Sequence, residues 1–178
     1  MIREVITYPN PKLRTVSKDV VAFNDELHTL LDDMYDTMIA KNGIGLAAIQ
    51  VAVPLNVLII NLSREDESKE VVQVKEDLIE FINPTIIEQE GVCTFQEGCL
   101  SVPNFYEDVE RAKIIKIRYF DRAGNEHIAT YDGLMSIALQ HEIDHLQGRL
   151  FIEKLSYLKR KKFEKEWKKI VKEEKAKK

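Results

Sequence analysis

Residues Leu134–Gly148 read LMSIALQHEIDHLQG. The apolar spacing predicts a helix from about Leu134 to Gln147, with Gly148 at the expected stop, because glycine enters the left-handed region at little cost. Positions four apart lie on one helix face. Leu134, Ile137 and Ala138 therefore share an inward face with His141 and His145. Two imidazoles on one face can converge on a single cation. Glu142 stands about a third of a turn around from His141. It can reach a water activated by that cation without ligating the cation itself, which suits a general base. The plain alternative is a helix that carries two histidines by chance. Against it, a polar pair that continues an apolar stripe has to be satisfied somehow, and ligation is one way.

A metal needs a third protein ligand. No histidine follows His145, and the first downstream acid is Glu153. Upstream lies Glu97-Gly98-Cys99-Leu100-Ser101. The Cys99 thiolate suits a borderline or soft ion, and Gly98 allows a tight backbone path beside it. Read alone, Cys99 is an ordinary buried thiol, and only the histidine pair changes that reading. Cys93 is six positions away, so a disulfide between the two would close a very small loop. A third segment, Gly43-Ile44-Gly45-Leu46-Ala47-Ala48-Ile49-Gln50, has two glycines but lacks the Lys-Ser/Thr ending of a phosphate loop. The Gln50 amide could donate to a developing oxyanion, although a lone glutamine is usually just polar.

Outward from these segments, Asn24 is placed to cap a helix starting near Asp25, with Leu27, Leu30, Leu31, Met34, Tyr35 and Met38 as its stripe. Gly43, after Asn42, is expected to end it. Leu55–Leu62 reads as a strand. Ser63–Asp77 is charged, and its first half reads as an exposed loop. Leu78–Glu88 contains a strand that Pro84 should bend or hold at an edge. Cys93–Phe95 reads as a short strand, and Lys113–Phe120 pairs with Glu126–Tyr131 across the turn Asp121–Asn125. A charged helix closes the chain, with Leu155, Leu158, Phe163, Trp167, Ile170 and Val171 as apolar members. Scattered strands with helices at both ends predict an α+β fold, with antiparallel or mixed sheets packed around the central helix bearing HEIDH.

With 44% apolar and 31% charged residues in 178, the composition is that of a folded globular chain with one core. No apolar run nears the roughly 20 residues of a membrane span, and the N-terminus lacks a signal pattern, so a cytoplasmic protein is expected. The net charge of −4 conceals an asymmetry: residues 154–178 carry 12 Lys and Arg against 4 Asp and Glu, and the rest carry 14 against 26. A basic tail on an acidic body suggests an anionic partner such as nucleic acid, or simply a solvated helix. The expected division is a catalytic part, 1–153, and a basic helix, 154–178, that belongs to it or extends it.

GIGLAAIQ, EGCLS and QHEIDHLQG, in that order, together with the opening YPNPKLR, resemble the signature segments of the peptide deformylases over roughly residues 1–150. The resemblance implies removal of the N-formyl group from N-formylmethionyl nascent peptides. It implies Cys99, His141 and His145 as metal ligands and Glu142 as acid/base. Gln50 and the Leu100 amide would polarise the formyl oxygen, and Gly45 would bond the substrate backbone. Ile44, Leu134 and Ile137 would line a methionine slot, or be ordinary core. Glu97 would contact substrate or orient the ligand loop. The family's usual ion is Fe(II), with Zn(II), Ni(II) or Co(II) able to occupy the site. Some members resemble a ribosome-bound form that docks through the C-terminal helix. Where many members carry an Arg shortly after EGCLS, this chain has Tyr106. Two rival readings are a general zinc metallopeptidase and a ribosome-associated binding protein with a structural metal.

Overall fold

The computed structural model describes residues 1–178. Helix α1 (Asp25–Ala40) leads into strands β1 (Gly45–Ala47) and β2 (Val57–Ile60). A small hairpin, β3 (Arg64–Glu65) and β4 (Val71–Val72), follows. Then come β5 (Ile79–Glu90), β6 (Cys93–Cys99), β7 (Val102–Arg111), β8 (Ile114–Phe120) and β9 (Glu126–Tyr131). Helix α2 (Gly133–Leu146) precedes the last helix, α3 (Tyr157–Ala176). The main sheet runs β1-β2-β5-β8-β9 with every pairing antiparallel, and β6-β7 forms a separate two-stranded sheet. The fold is α+β. No helix is long and apolar enough to cross a membrane.

Strand β2 shows why its sequence is apolar without alternation. Val57 and Ile59 pack with Leu30, Leu31, Met34 and Met38 of α1, while Leu58 and Ile60 pack with Leu139, Ile143 and Leu146 of α2. A strand covered on both faces has no polar side to present. The sheet is thus sandwiched, and α2 is buried along most of its length. A third cluster joins Leu13, Phe105, Leu150, Phe151 and Phe163 and ties the N-terminal arm, β7 and α3 together.

The helix ends follow local chemistry. Asn24 Oδ1 accepts from the Leu27 N–H at 3.1 Å, closing the start of α1. Its far end differs from expectation. Asn42, not Gly43, takes the left-handed turn (φ 56°), and the Gly43 N–H then donates to the Met38 carbonyl at 2.9 Å. Asparagine tolerates this region better than other side chains. Gly148 ends α2 as expected, with φ 74° and the Arg149 N–H on the Asp144 carbonyl at 2.9 Å. A Cβ at Gly148 would lie 2.4 Å from the Arg14 carbonyl oxygen, so close packing also demands glycine there.

Other expectations need correction. The first half of Ser63–Asp77 is exposed as expected, but it folds as part of a hairpin rather than an open loop. Asp66 Oδ1 accepts from the N–H groups of Ser68 and Glu70, folding the tip of the β3-β4 hairpin. Of the bend or edge position expected at Pro84, the edge is the alternative that fails. β5 is internal, and Pro84 sits where its pairing with β8 breaks between Ile82 and Thr85. Beside it, Asn83 (φ 51°) exchanges two hydrogen bonds with the Val20 backbone. The strand begun at Cys93 runs on to Cys99, and its partner β7 went unread. In α3, Leu158 is exposed and Leu155 precedes the helix, so packing rests on Phe163 and Trp167. Both rings pack edge-on against Tyr8, with centroids 5.3 and 5.2 Å away.

Candidate active site and metal centre

Helix α2 carries His141 and His145 one turn apart, with their Nε2 atoms 3.2 Å from each other. The last residue of β6 brings Cys99 Sγ to 3.3 Å from His145 Nε2. The pairing of β6 with β7 is irregular between Glu97 and Cys99, which swings the sulfur toward the helix. The ligand atoms of Cys99, His141 and His145 lie within 4.8 Å of one another. One sulfur and two imidazole nitrogens, crowded this closely, fit a single divalent ion that accepts all three lone pairs. Burial, with the His141 and Arg111 charges added, pushes the His145 pKa well below its usual value and favours the neutral form that ligates.

A buried ionic chain stands behind the ligands. Glu97 Oε1 accepts from His141 Nδ1 at 2.8 Å. The same carboxylate is gripped by Arg111, through Nε at 2.7 Å and Nη2 at 2.8 Å. Arg111 Nη1 reaches Asp144 Oδ2 at 2.6 Å. Burial opposes ionisation of Glu97, but Arg111 and His141 outweigh it and hold the carboxyl below its usual range. The bond to Glu97 fixes the His141 ring and leaves Nε2 for an ion.

Glu142 is different. It is buried, its Oε2 has no hydrogen-bond partner, and burial pushes its pKa up to about 7. The carboxyl lies against Gly45, where a Cβ would come within 2.9 Å of Glu142 Oε1. Glycine at 45 is the space in which that carboxyl sits.

Gln50 is held from one side and points the other way. Its Oε1 accepts from the Ala47 N–H at 2.9 Å, while Nε2 donates to Ser101 Oγ at 3.0 Å and approaches Cys99 Sγ at 3.6 Å. A cavity of about 640 Å³ opens here, lined by Ile44, Gly45, Gln50, Leu100, Leu134 and Ile137 together with Cys99, His141 and Glu142.

A family profile of polypeptide deformylases matches residues 2–161. The chain belongs to the polypeptide deformylase family. Deformylases are enzymes that hydrolyse the formyl group from N-terminal methionine. The chain is 56% identical over 174 residues to the Helicobacter pylori peptide deformylase, covering 98% of each. The crystal structure of the Legionella pneumophila deformylase superposes with a TM-score of 0.86 at 38% identity, covering 98% of both chains. The Acinetobacter baumannii class I type b deformylase, solved with Met-Ala-Ser bound, gives 0.78 at 32% identity over 87% of this chain and 99% of that one.

The fold thus brings the expected site residues to one cluster and cavity, though not all in the same manner, and leaves Cys93 and Glu153 outside it. Ile44 and Leu134 are partly exposed on the cavity wall, while Ile137 is buried beside them. Glu97 borders the cavity, but its carboxylate oxygens are engaged by Arg111 and His141 rather than offered to substrate. Gly98 has a role not anticipated: a Cβ there would fall 2.4 Å from Tyr106 Cε1, so the missing side chain makes room for that ring. Three polar residues escaped the sequence reading. Ser101 closed EGCLS without being given a role, and Arg111 carried no motif. Asp144 lay inside HEIDH but read as a spacer; an acid on the buried face of a helix was the available clue.

Proposed function

We propose that the chain removes the formyl group from N-formylmethionyl nascent peptides, with Glu142 as general acid/base. The observation that carries this reading is a buried carboxyl with a free oxygen, beside a three-atom donor cluster, at the wall of an open cavity. A divalent ion held by Cys99, His141 and His145 would supply the Lewis acidity that makes water nucleophilic near neutral pH and polarises a carbonyl oxygen. Glu142 takes a proton from the attacking water. Negative charge then grows on the former carbonyl oxygen, which faces the Gln50 amide and the Leu100 N–H. Ser101 Oγ accepts one Gln50 proton, and the amide's other approach is to Cys99 Sγ at 3.6 Å, which holds it on the donor-cluster side of the cavity. As the C–N bond breaks, Glu142 returns the proton to the leaving amine, giving formate and a free amino terminus.

Gly45 bonds the substrate backbone, and Ile44, Leu134 and Ile137 receive the methionine side chain. Met-Ala-Ser in the Acinetobacter relative has the composition of a deformylated product, which supports a peptide lying in this cavity. By the family resemblance, the ion held there would be Fe(II) natively. Iron sits below zinc in affinity for such ligands, so Zn(II), Ni(II) or Co(II) enters when supply favours it. Metal content and formate release from formyl-Met-Ala-Ser, on anaerobically purified protein, test the whole reading. Casein cleavage without formate release would transfer it to the general metallopeptidases. A closed structural site would need a fourth ligand, and the cluster offers three.

Losing an oxyanion donor typically costs about 3–4 kcal/mol, so Gln50→Ala should lower turnover roughly 100-fold or more. Near-normal turnover with full metal would remove Gln50 from the mechanism.

Helix α3 is proposed to dock on ribosomal RNA, keeping the cytoplasmic enzyme near emerging chains. The exposure of Lys165, Lys168, Lys169 and Lys172 supports it. Each lysine neutralised to Gln should reduce the slope of log K against log salt by roughly one unit. Ribosome binding with an unchanged slope in the fourfold variant would dismiss the docking.

A further inference from the structure

We propose that Gln73 is a positioning residue for the reaction: its side-chain amide braces the Gly43–Gly45 wall of the cavity from outside. The proposal rests on the deformylase reading of that cavity. Its starting point is the charged segment 63–77, which no step above employs. The segment folds as the β3-β4 hairpin, and Arg64 pairs with Asp77 at 2.8 Å across its base. Just past β4, Gln73 turns inward. One Nε2 donates to the Gly43 carbonyl at 3.0 Å and to the Asn61 carbonyl at 2.6 Å. Asn61 is fully buried and returns the favour, its Nδ2 donating to the Val74 carbonyl at 2.8 Å.

These bonds pin both peptide planes that flank Ile44. The Gly43–Ile44 plane is held by Gln73, and the Ile44–Gly45 plane by the Asn61 N–H on the Ile44 carbonyl at 2.8 Å. Of the two, the Gln73 bond is the one that comes from the hairpin segment rather than from the residue directly after β2. The wall has little room on its other side. A Cβ at Gly43 would touch Leu100 Cδ1 at 3.0 Å, and one at Gly45 would touch Glu142 Oε1 at 2.9 Å. The peptide that precedes Ile44 is therefore set by a residue distant from the chemistry, and both Gly43 and Ile44 line the cavity. Without the amide, two carbonyls lose their donor and the wall loosens, while the ligand cluster and Glu142 keep their own supports.

Gln73→Met keeps the length and removes both donors. Gln73→Glu keeps the shape and turns a carboxylate toward two carbonyls. Each should raise KM for formyl-Met-Ala-Ser on the order of 10-fold with kcat nearly constant, the signature of lost binding rather than lost chemistry. Amide hydrogen exchange on the same proteins should quicken at residues 43–46 while β5 and β8 stay protected. A KM equal to wild type in both variants, or a fall in kcat at constant KM, overturns the proposal. If the wild-type chain releases no formate, the deformylase reading fails. Exchange then decides the brace alone: local quickening at 43–46 upholds it and unchanged exchange overturns it.

Discussion

Glu142→Gln should bind its metal in wild-type stoichiometry and bind formyl-Met-Ala-Ser with little change in KM, yet lose turnover by roughly 10³-fold, within the range attributed to a positioned acid/base. The substitution preserves volume where there is no spare volume, because the carboxyl lies so close to Gly45 that even a Cβ there would come within 2.9 Å of Glu142 Oε1. It leaves Cys99, His141 and His145 untouched. The change is therefore confined to proton transfer. Glutamine cannot accept the water proton, and it cannot return one to the leaving amine. Metal analysis beside steady-state kinetics reads both halves of this expectation. Turnover within tenfold of wild type would reject Glu142 as the base; loss of metal would show the residue acting on the ligand set instead.

The second large effect is expected away from the cavity. Arg111→Met takes the guanidinium nitrogens, at 2.6–2.8 Å in the native chain, from two buried carboxylates, and leaves Glu97 without a permanent cation and Asp144 with only Lys154 at 3.8 Å. Removing one partner of a buried ion pair typically costs about 3–5 kcal/mol, because the remaining charge cannot regain water. For a chain of this length each kcal/mol lowers Tm by roughly 2–4 °C, so thermal unfolding should shift by on the order of 10 °C. Metal affinity should fall as well, by about 10–100-fold, since Glu97 then has no anchor with which to hold the His141 ring. Adding Glu97→Gln to Arg111→Met should recover part of the Tm but not the metal affinity. A single variant that melts early while binding metal normally would make the ionic chain a matter of stability alone.

How far the letters alone reach depends on where the cause of each feature lies. The histidine helix was legible because its signals are local: a spacing of four, an adjacent acid and a terminating glycine. Cys99 required an inference across more than forty residues, and the motif supplied it. The apolar run of β2 was legible as a strand, but its burial between two helices was not, because that depends on what covers each face. Strand β7 was missed for a comparable reason. Its inward positions Val102, Phe105, Val109 and Arg111 break strict alternation, and one of them is charged. Arg111 is a buried cation whose meaning comes entirely from Glu97 and Asp144. The fold of Ser63–Asp77 was hidden because it is held by Gln73 and by turn bonds of Asp66, both ordinary polar letters until their partners are in place.

The tail helix is less separable than its charge suggests. Tyr8 packs between Phe163 and Trp167, and the Tyr8 N–H donates to the Ser101 carbonyl at 2.7 Å, two residues from the Cys99 sulfur. Cutting the chain before Tyr157 would strip the aromatic seat of a strap that fastens the thiol-bearing bend. A shortened enzyme would then lose activity for reasons unrelated to any lost docking partner. Recoding the outward lysines while sparing those two rings is the way to ask what the charge is for.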